Sequence, residues 1–175
     1  AELVDAGEAV RYSSVPTGAV DVVARLWSAD LNEAWAILSS PIVASSWSDA
    51  ALTWLVQSPR PSSAQKPFGV GAADLAAVRT TVSMFSQLDG AFGGAHARRA
   101  LIEFLRSDVL PLLGEKNSAD VKGALQEVAA EATLLAAWMS YDAGLHGLAQ
   151  RYFVQALQLA EAAGRKYLSG VSNPF

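Results

Sequence analysis

The densest grouping of side chains able to do chemistry lies between Trp138 and Tyr152, where Tyr141, Asp142, His146, Gln150 and Arg151 fall within about four helical turns. At helical spacing His146 and Gln150 share a face, and Asp142 can reach toward His146 across a turn at Gly144. That would give a polar rim on an apolar concavity, suited to a small ligand or a peptide. The structural alternative has Trp138 and Tyr152 packing two helices while the polar groups serve the turn, and helical hairpins generally favour it. Ser140, Asp142 and His146 do not read as a hydrolase triad, because Ser140 sits in a plain helical pattern with no nucleophile elbow. His96 and His146 have no neighbours at metal-ligand spacing. Gly90, Gly93 and Gly94 ahead of Arg98 and Arg99 would suit an anion at a helix start, against the plainer reading of a glycine turn. The four tryptophans Trp27, Trp35, Trp47 and Trp54 divide among core, interface and aromatic pocket, with core packing the leading use. The expectation is a non-enzymatic protein with no catalytic residue, metal or cofactor.

Composition narrows the class further. The chain has 175 residues, 51% of them hydrophobic and 17% charged, a net charge of -4 and no cysteine. It is too apolar for a disordered chain and lacks the basic excess of a free-standing nucleic-acid binder. Disulfides, cysteine-ligated zinc and thiol nucleophiles are excluded outright. Residues 1–57 carry seven acids and two arginines, and residues 58–175 ten acids and eleven bases, so neither part is a polycationic arm. No apolar run approaches the ~20 residues of a membrane span, and Glu2, Asp5 and Glu8 occupy the place of a signal peptide's positive region. The expected location is cytoplasmic. The first residue is Ala1 rather than methionine, which reads as a processed or excised piece of a longer protein.

The elements that must position these side chains are helical, since alanine and leucine dominate and no period-two alternation is visible. Residues 1–16 read as an extended connection, and residues 17–57 as N-terminal helices. Thr17 would cap a first helix with the stripe Val20, Val23, Trp27 and Leu31; Asp30 and Glu33 resemble a capping box opening a second that ends before Pro41; a third is expected over Ser48 to Gln57. Residues 58–70, rich in proline and serine, read as a linker. The region 71–164 then holds a helix through Leu75, Val78, Val82, Phe85 and Leu88, a turn at 89–94, a helix limited by Pro111, and a loop at Leu113 to Asn117. A long helix from Ser118 and its partner up to Gly164 form an αα-hairpin about Gly144, with alanine-rich seams, and residues 165–175 are a tail. The fold class is therefore all-α, built of antiparallel helical hairpins.

Ala149, Phe153 and Ala156 have the spacing of the second helix of a tetratricopeptide repeat, with Gly144 in the turn, although Glu161 stands where that repeat has proline. Three phrases add to this: Leu88-Asp89-Gly90-Ala91-Phe92-Gly93-Gly94, Leu110-Pro111-Leu112-Leu113, and Ala137 to Gly144 followed by His146 to Tyr152. From about Val15 to Gly164 the chain resembles the C-terminal tetratricopeptide-like regulatory region of bacterial transcriptional regulators with an N-terminal XRE-type helix-turn-helix domain. The resemblance implies a homodimer that senses a small-molecule or peptide effector and meets DNA only through a domain absent from this chain. The competing expectation is a stand-alone tetratricopeptide-like scaffold for protein partners.

Overall fold

A computed structural model describes residues 5–12, 18–56, 71–92, 94–114 and 117–164. In chain order the helices are α1 (Ala6–Ala9), α2 (Ala19–Leu31), α3 (Trp35–Leu38), α4 (Ala44–Val56), α5 (Ala72–Phe92), α6 (Gly94–Phe104), α7 (Leu110–Gly114), α8 (Ala119–Asp142) and α9 (His146–Ala162). A π-helical turn, Leu105–Val109, joins α6 to α7. No strand occurs among the described residues, so the chain is an all-α bundle. The segments 1–4, 13–17, 58–70 and 165–175, with their expected cap, linker and tail, lie outside the described residues.

The α8–α9 hairpin is the spine. Ser118 caps α8 by accepting a hydrogen bond from the Val121 N–H at 3.4 Å. The helix ends in a Schellman motif, with the Leu145 N–H bonded to the Ser140 carbonyl, the Gly144 N–H bonded to the Tyr141 carbonyl, and Gly144 at φ 77°. The two helices run antiparallel, because a Cβ built on Gly123 near the start of α8 lies 3.5 Å from the Ala163 carbonyl just past the end of α9. Ala129, Ala132, Ala136, Ala149, Ala156 and Ala160 are buried along the seam region, and small side chains of this kind let helix axes approach closely. Around the spine, Val23, Leu26 and Trp27 of α2, Leu101 and Ile102 of α6, and Leu148, Tyr152 and Leu159 of α9 form one continuous core. The N-terminal helices thus share their core with the region after residue 70.

Several local expectations are corrected. Asp30 and Glu33 do not open a helix; they close α2 in a second Schellman motif, with Ala34 N–H on the Ala29 carbonyl, Glu33 N–H on the Asp30 carbonyl, and Glu33 at φ 52°. The Asp30 carboxylate is drawn instead into the core, where Arg98 and Tyr152 hold it. The helix expected to follow shrinks to the single turn α3, and α4 begins at Ala44 rather than Ser48. Residues 6–9 form a helical turn rather than part of an extended connection, and donors on α9 bind their carbonyls: Arg151 Nε binds Ala6 O at 3.0 Å and Gln155 Nε2 binds Ala9 O at 2.8 Å. α5 continues through Asp89 and Gly90 to Phe92, so the expected turn at 89–94 is largely helical. Pro111 lies within α7, and Leu113 and Gly114, expected in a loop, are its last residues; residues 115 and 116 lie outside the described ones. The π turn before it carries the chain past a residue that has no N–H and crowds the carbonyl four positions back, with Leu110 N–H reaching Leu105 O instead.

Candidate functional site

The side chains expected to share one site separate onto two faces. Gln150, Arg151 and Tyr152 point inward and are buried, whereas Trp138, Tyr141, Asp142 and His146 face outward. The inward set serves the fold. Gln150 clamps Val43 by both amide groups, accepting from the Val43 N–H at 2.8 Å and donating to its carbonyl at 2.7 Å. Arg151 donates to the Pro41 carbonyl at 3.2 Å and to Gly147 O at 2.8 Å besides Ala6 O, and burial pushes its guanidinium below the usual value. Tyr152 Oη donates to Asp30 Oδ2 at 2.6 Å. Gln150, Arg151 and Tyr152 are therefore withdrawn as ligand contacts. Gln150→Leu should cost about 1–3 kcal/mol, read by chemical denaturation, because it strands both backbone groups of Val43. A Gln150 that touched only a ligand would leave stability unchanged.

The pairing of Asp142 with His146 is not formed; His146 packs instead on the Tyr141 ring, centroids 4.8 Å apart. Ser140 is buried inside the hairpin and donates to Ala136 O at 2.7 Å, turned away from exposed Asp142 and His146. Arg98 and Arg99 are not an anion site. Arg98 is paired with Asp30, and Arg99 with Glu33 at 2.6 Å, so both basic groups are spent tying α6 to the end of α2. Among the described residues no group of three His, Asp or Glu side chains could hold a metal, and the side chain of His96 lies outside them. No described helix is long and apolar enough to cross a membrane.

The outward face carries an aromatic ridge. Trp138 meets Phe153 edge-on at 4.9 Å and Tyr141 at 6.3 Å, and Trp47 of α4 meets Phe153 at 5.7 Å. Trp47, Trp138 and Tyr141 stay 42–52% exposed, an amount of aromatic surface that α4, α8 and α9 bring together from distant parts of the sequence. Of the other N-terminal tryptophans, Trp27 is fully buried in the core and Trp35 is exposed; the Trp54 side chain lies outside the described residues.

Trp138 also walls one end of a groove of about 440 Å³ between α5 and α8. Its floor is Val82, Val128, Leu134 and Leu135, with Ser83 and Ser86 on the α5 side. Arg79 closes the other end, 3.6 Å from Glu127, beside Glu131. One helical turn beyond Ser86 and Trp138 stand Asp89 and Asp142, each in the last turn of its helix. Burial, and then the negative charge of Asp142, push the Asp89 carboxyl above its usual value.

Asp89, the groove and the Trp47–Phe153 contact were not singled out from the sequence. A usable signal was there: two aspartates at helix C-termini, where the helix dipole disfavours negative charge.

Compared with known proteins, the chain matches no family model, no curated protein and no solved structure.

Proposed function

We propose that this chain is a non-catalytic, tetratricopeptide-like regulatory domain that dimerises and senses an effector, and that in its intact form it controls a DNA-binding domain. The observation that carries the reading is the aromatic ridge of Trp47, Phe153, Trp138 and Tyr141, held by ring contacts and left partly open to solvent. Large aromatics that are already fixed in place lose little freedom on association and dominate binding energy at interfaces. A second copy of the chain is the occupant we assign to the ridge. The connection to transcription rests on the resemblance of the phrases around Asp89, Pro111 and Gly144, and a helix-turn-helix encoded ahead of Ala1 is its direct check. An effector acts by preferring one arrangement of the dimer, and a preference of about 1–3 kcal/mol is enough to alter operator binding.

Sedimentation across a concentration series tests the dimer. The chain should self-associate at micromolar concentration, and Trp47→Ser with Tyr141→Ser should weaken association by about tenfold or more while the helical circular dichroism stays unchanged, because both side chains are half-exposed. A chain that sediments as a strict monomer at high micromolar concentration overturns the reading.

A further inference from the structure

Building on the chain as an effector-sensing domain, we infer that the face of α9 bearing Arg151 and Gln155 is a peptide site which this chain fills with its own residues 5–12, and that the effector is a peptide of the same pattern taking their place. The pattern is a small residue at the first and fourth positions, a carboxylate at the third and a phenol at the seventh, as in Ala6, Ala9, Glu8 and Tyr12. Arg151 Nε donates to Ala6 O at 3.0 Å and Gln155 Nε2 to Ala9 O at 2.8 Å, both from buried side chains. A carbonyl is common to every residue, so these two bonds fix the path of a chain and leave its identity to be read through side chains. Ala9 is fully buried with Ala6 packed against the same core, Glu8 pairs with Arg25 of α2, and Tyr12 Oη donates to Glu161 Oε2 at 2.6 Å.

Two observations mark residues 5–12 as a ligand lying on the fold. The first is that the bed is built without them. Arg151 makes two further hydrogen bonds, to Gly147 O and Pro41 O, which keep its guanidinium in place, and the core under α9 comes mostly from α2, α6 and α8. Of residues 5–12 only Ala9 and Val10 are buried. A single helical turn with so little apolar surface opens at lower free energy than the long helices beneath it. The second observation is an unmet bond. Gln155 is fully buried, yet its Oε1 has no hydrogen-bond partner, whereas Gln150 on the same helix meets both the N–H and the carbonyl of Val43. Leaving a buried acceptor open is costly. A peptide that presents an N–H to Gln155 Oε1 makes the bond that residues 5–12 leave out, and that surplus lets it displace them.

The test titrates the full chain carrying Ala9→Arg with an end-capped octapeptide of residues 5–12, read by NMR at the Gln155 side-chain amide. Arginine does not fit the buried place of Ala9, so the chain's own segment no longer competes. The octapeptide should bind saturably below about 1 mM, and the wild-type chain, whose own segment competes at an effective concentration of millimolar order, should bind it at least about tenfold more weakly. An octapeptide that itself carries Ala9→Arg should not bind, and Gln155→Ala added to the chain should weaken binding by about fivefold or more. A second full chain carries only Arg25→Glu, at a part-exposed position, and should prefer the octapeptide with Glu8→Arg over the native one by about threefold or more. Absence of saturable binding, equal binding of the native and Ala9→Arg octapeptides, or indifference of the Arg25→Glu chain to the charge swap overturns the proposal. Loss of helical circular dichroism in the Ala9→Arg chain overturns it too, because residues 5–12 would then belong to the fold. The two readings fail separately. A strict monomer that takes the octapeptide keeps the peptide site and loses the dimer, whereas a dimer that ignores the octapeptide does the reverse.

Discussion

Gly147→Ala is expected to destabilise the chain by more than about 4 kcal/mol, or to prevent its folding, although the same change in an open helix would be stabilising by about 1 kcal/mol. A Cβ at this position would lie 1.6 Å from the Ser40 carbonyl oxygen and 2.6 Å from its carbon. The obstacle is backbone, so no side-chain rotation relieves it. The segment at Ser40 and Pro41 must retreat, and with it go the Arg151 bond to Pro41 O and both Gln150 bonds to Val43. Each such buried hydrogen bond contributes about 1 kcal/mol, and the overpacking itself typically costs 1–3 kcal/mol. Thermal denaturation should show a fall of roughly 10 °C or more for a chain of this size. Gly90 is the control: it is helical, and nothing lies within 4 Å of a Cβ built there, so Gly90→Ala should be neutral or stabilising. If Gly147→Ala matches Gly90→Ala, the close seating of Ser40 on α9 is wrong.

The second large effect is expected at Asp30. Its side chain is 2% exposed and joins three helices, holding Arg98 of α6 and Tyr152 of α9 from its own place in α2. Asp30→Ala leaves Arg98 facing a buried space without its partner and should cost about 3–5 kcal/mol in urea denaturation. Tyr152→Phe removes one hydrogen bond to a charged acceptor and should cost less, about 1.5–3 kcal/mol. The double variant Asp30→Leu with Arg98→Met should be more stable than Asp30→Ala, because removing both charges also removes their desolvation cost. An additive outcome, with the double variant worse than Asp30→Ala, would show that the pair does not act as a unit.

The pH dependence follows from the same contacts. Burial first, and then the charge and hydrogen bond of Asp30, push the Tyr152 hydroxyl well above its ordinary value of 10.0. A group raised on folding adds stability that is fully present below its unfolded value and is lost as pH rises through its folded one. Wild-type stability should therefore acquire a strongly alkaline decline that is smaller in Tyr152→Phe, Tyr12 being raised in the same direction by burial and Glu161.

How much of this was legible in the sequence differs from element to element. The α8–α9 hairpin was read with its ends nearly in place, because Ser118, Gly144 and Gly164 act on their own turns and the stripe from Val121 to Met139 repeats at the helical period. Asp30 and Glu33 misled because a carboxylate three residues from another is the same string at a helix start and at a Schellman end. What decides is whether Arg98, 68 residues away, claims the aspartate. Gln150 and Arg151 misled in the same way, since one face of α9 is polar by period but becomes interior once residues 6–9 and 40–43 lie across it.

By itself, the order of residues determined the helical class, the antiparallel hairpin and the lack of any thiol chemistry. These depend on side-chain size, period and turn residues, whose forces act within a few positions along the chain. Tertiary packing alone decided that His146 stands beside Tyr141 instead of Asp142, that Arg98 and Arg99 are engaged, and that Trp138 of α8 closes a groove against α5. Charges and rings interact through space over a few ångströms, and only the folded backbone brings positions as distant as Trp47 and Phe153 within that reach.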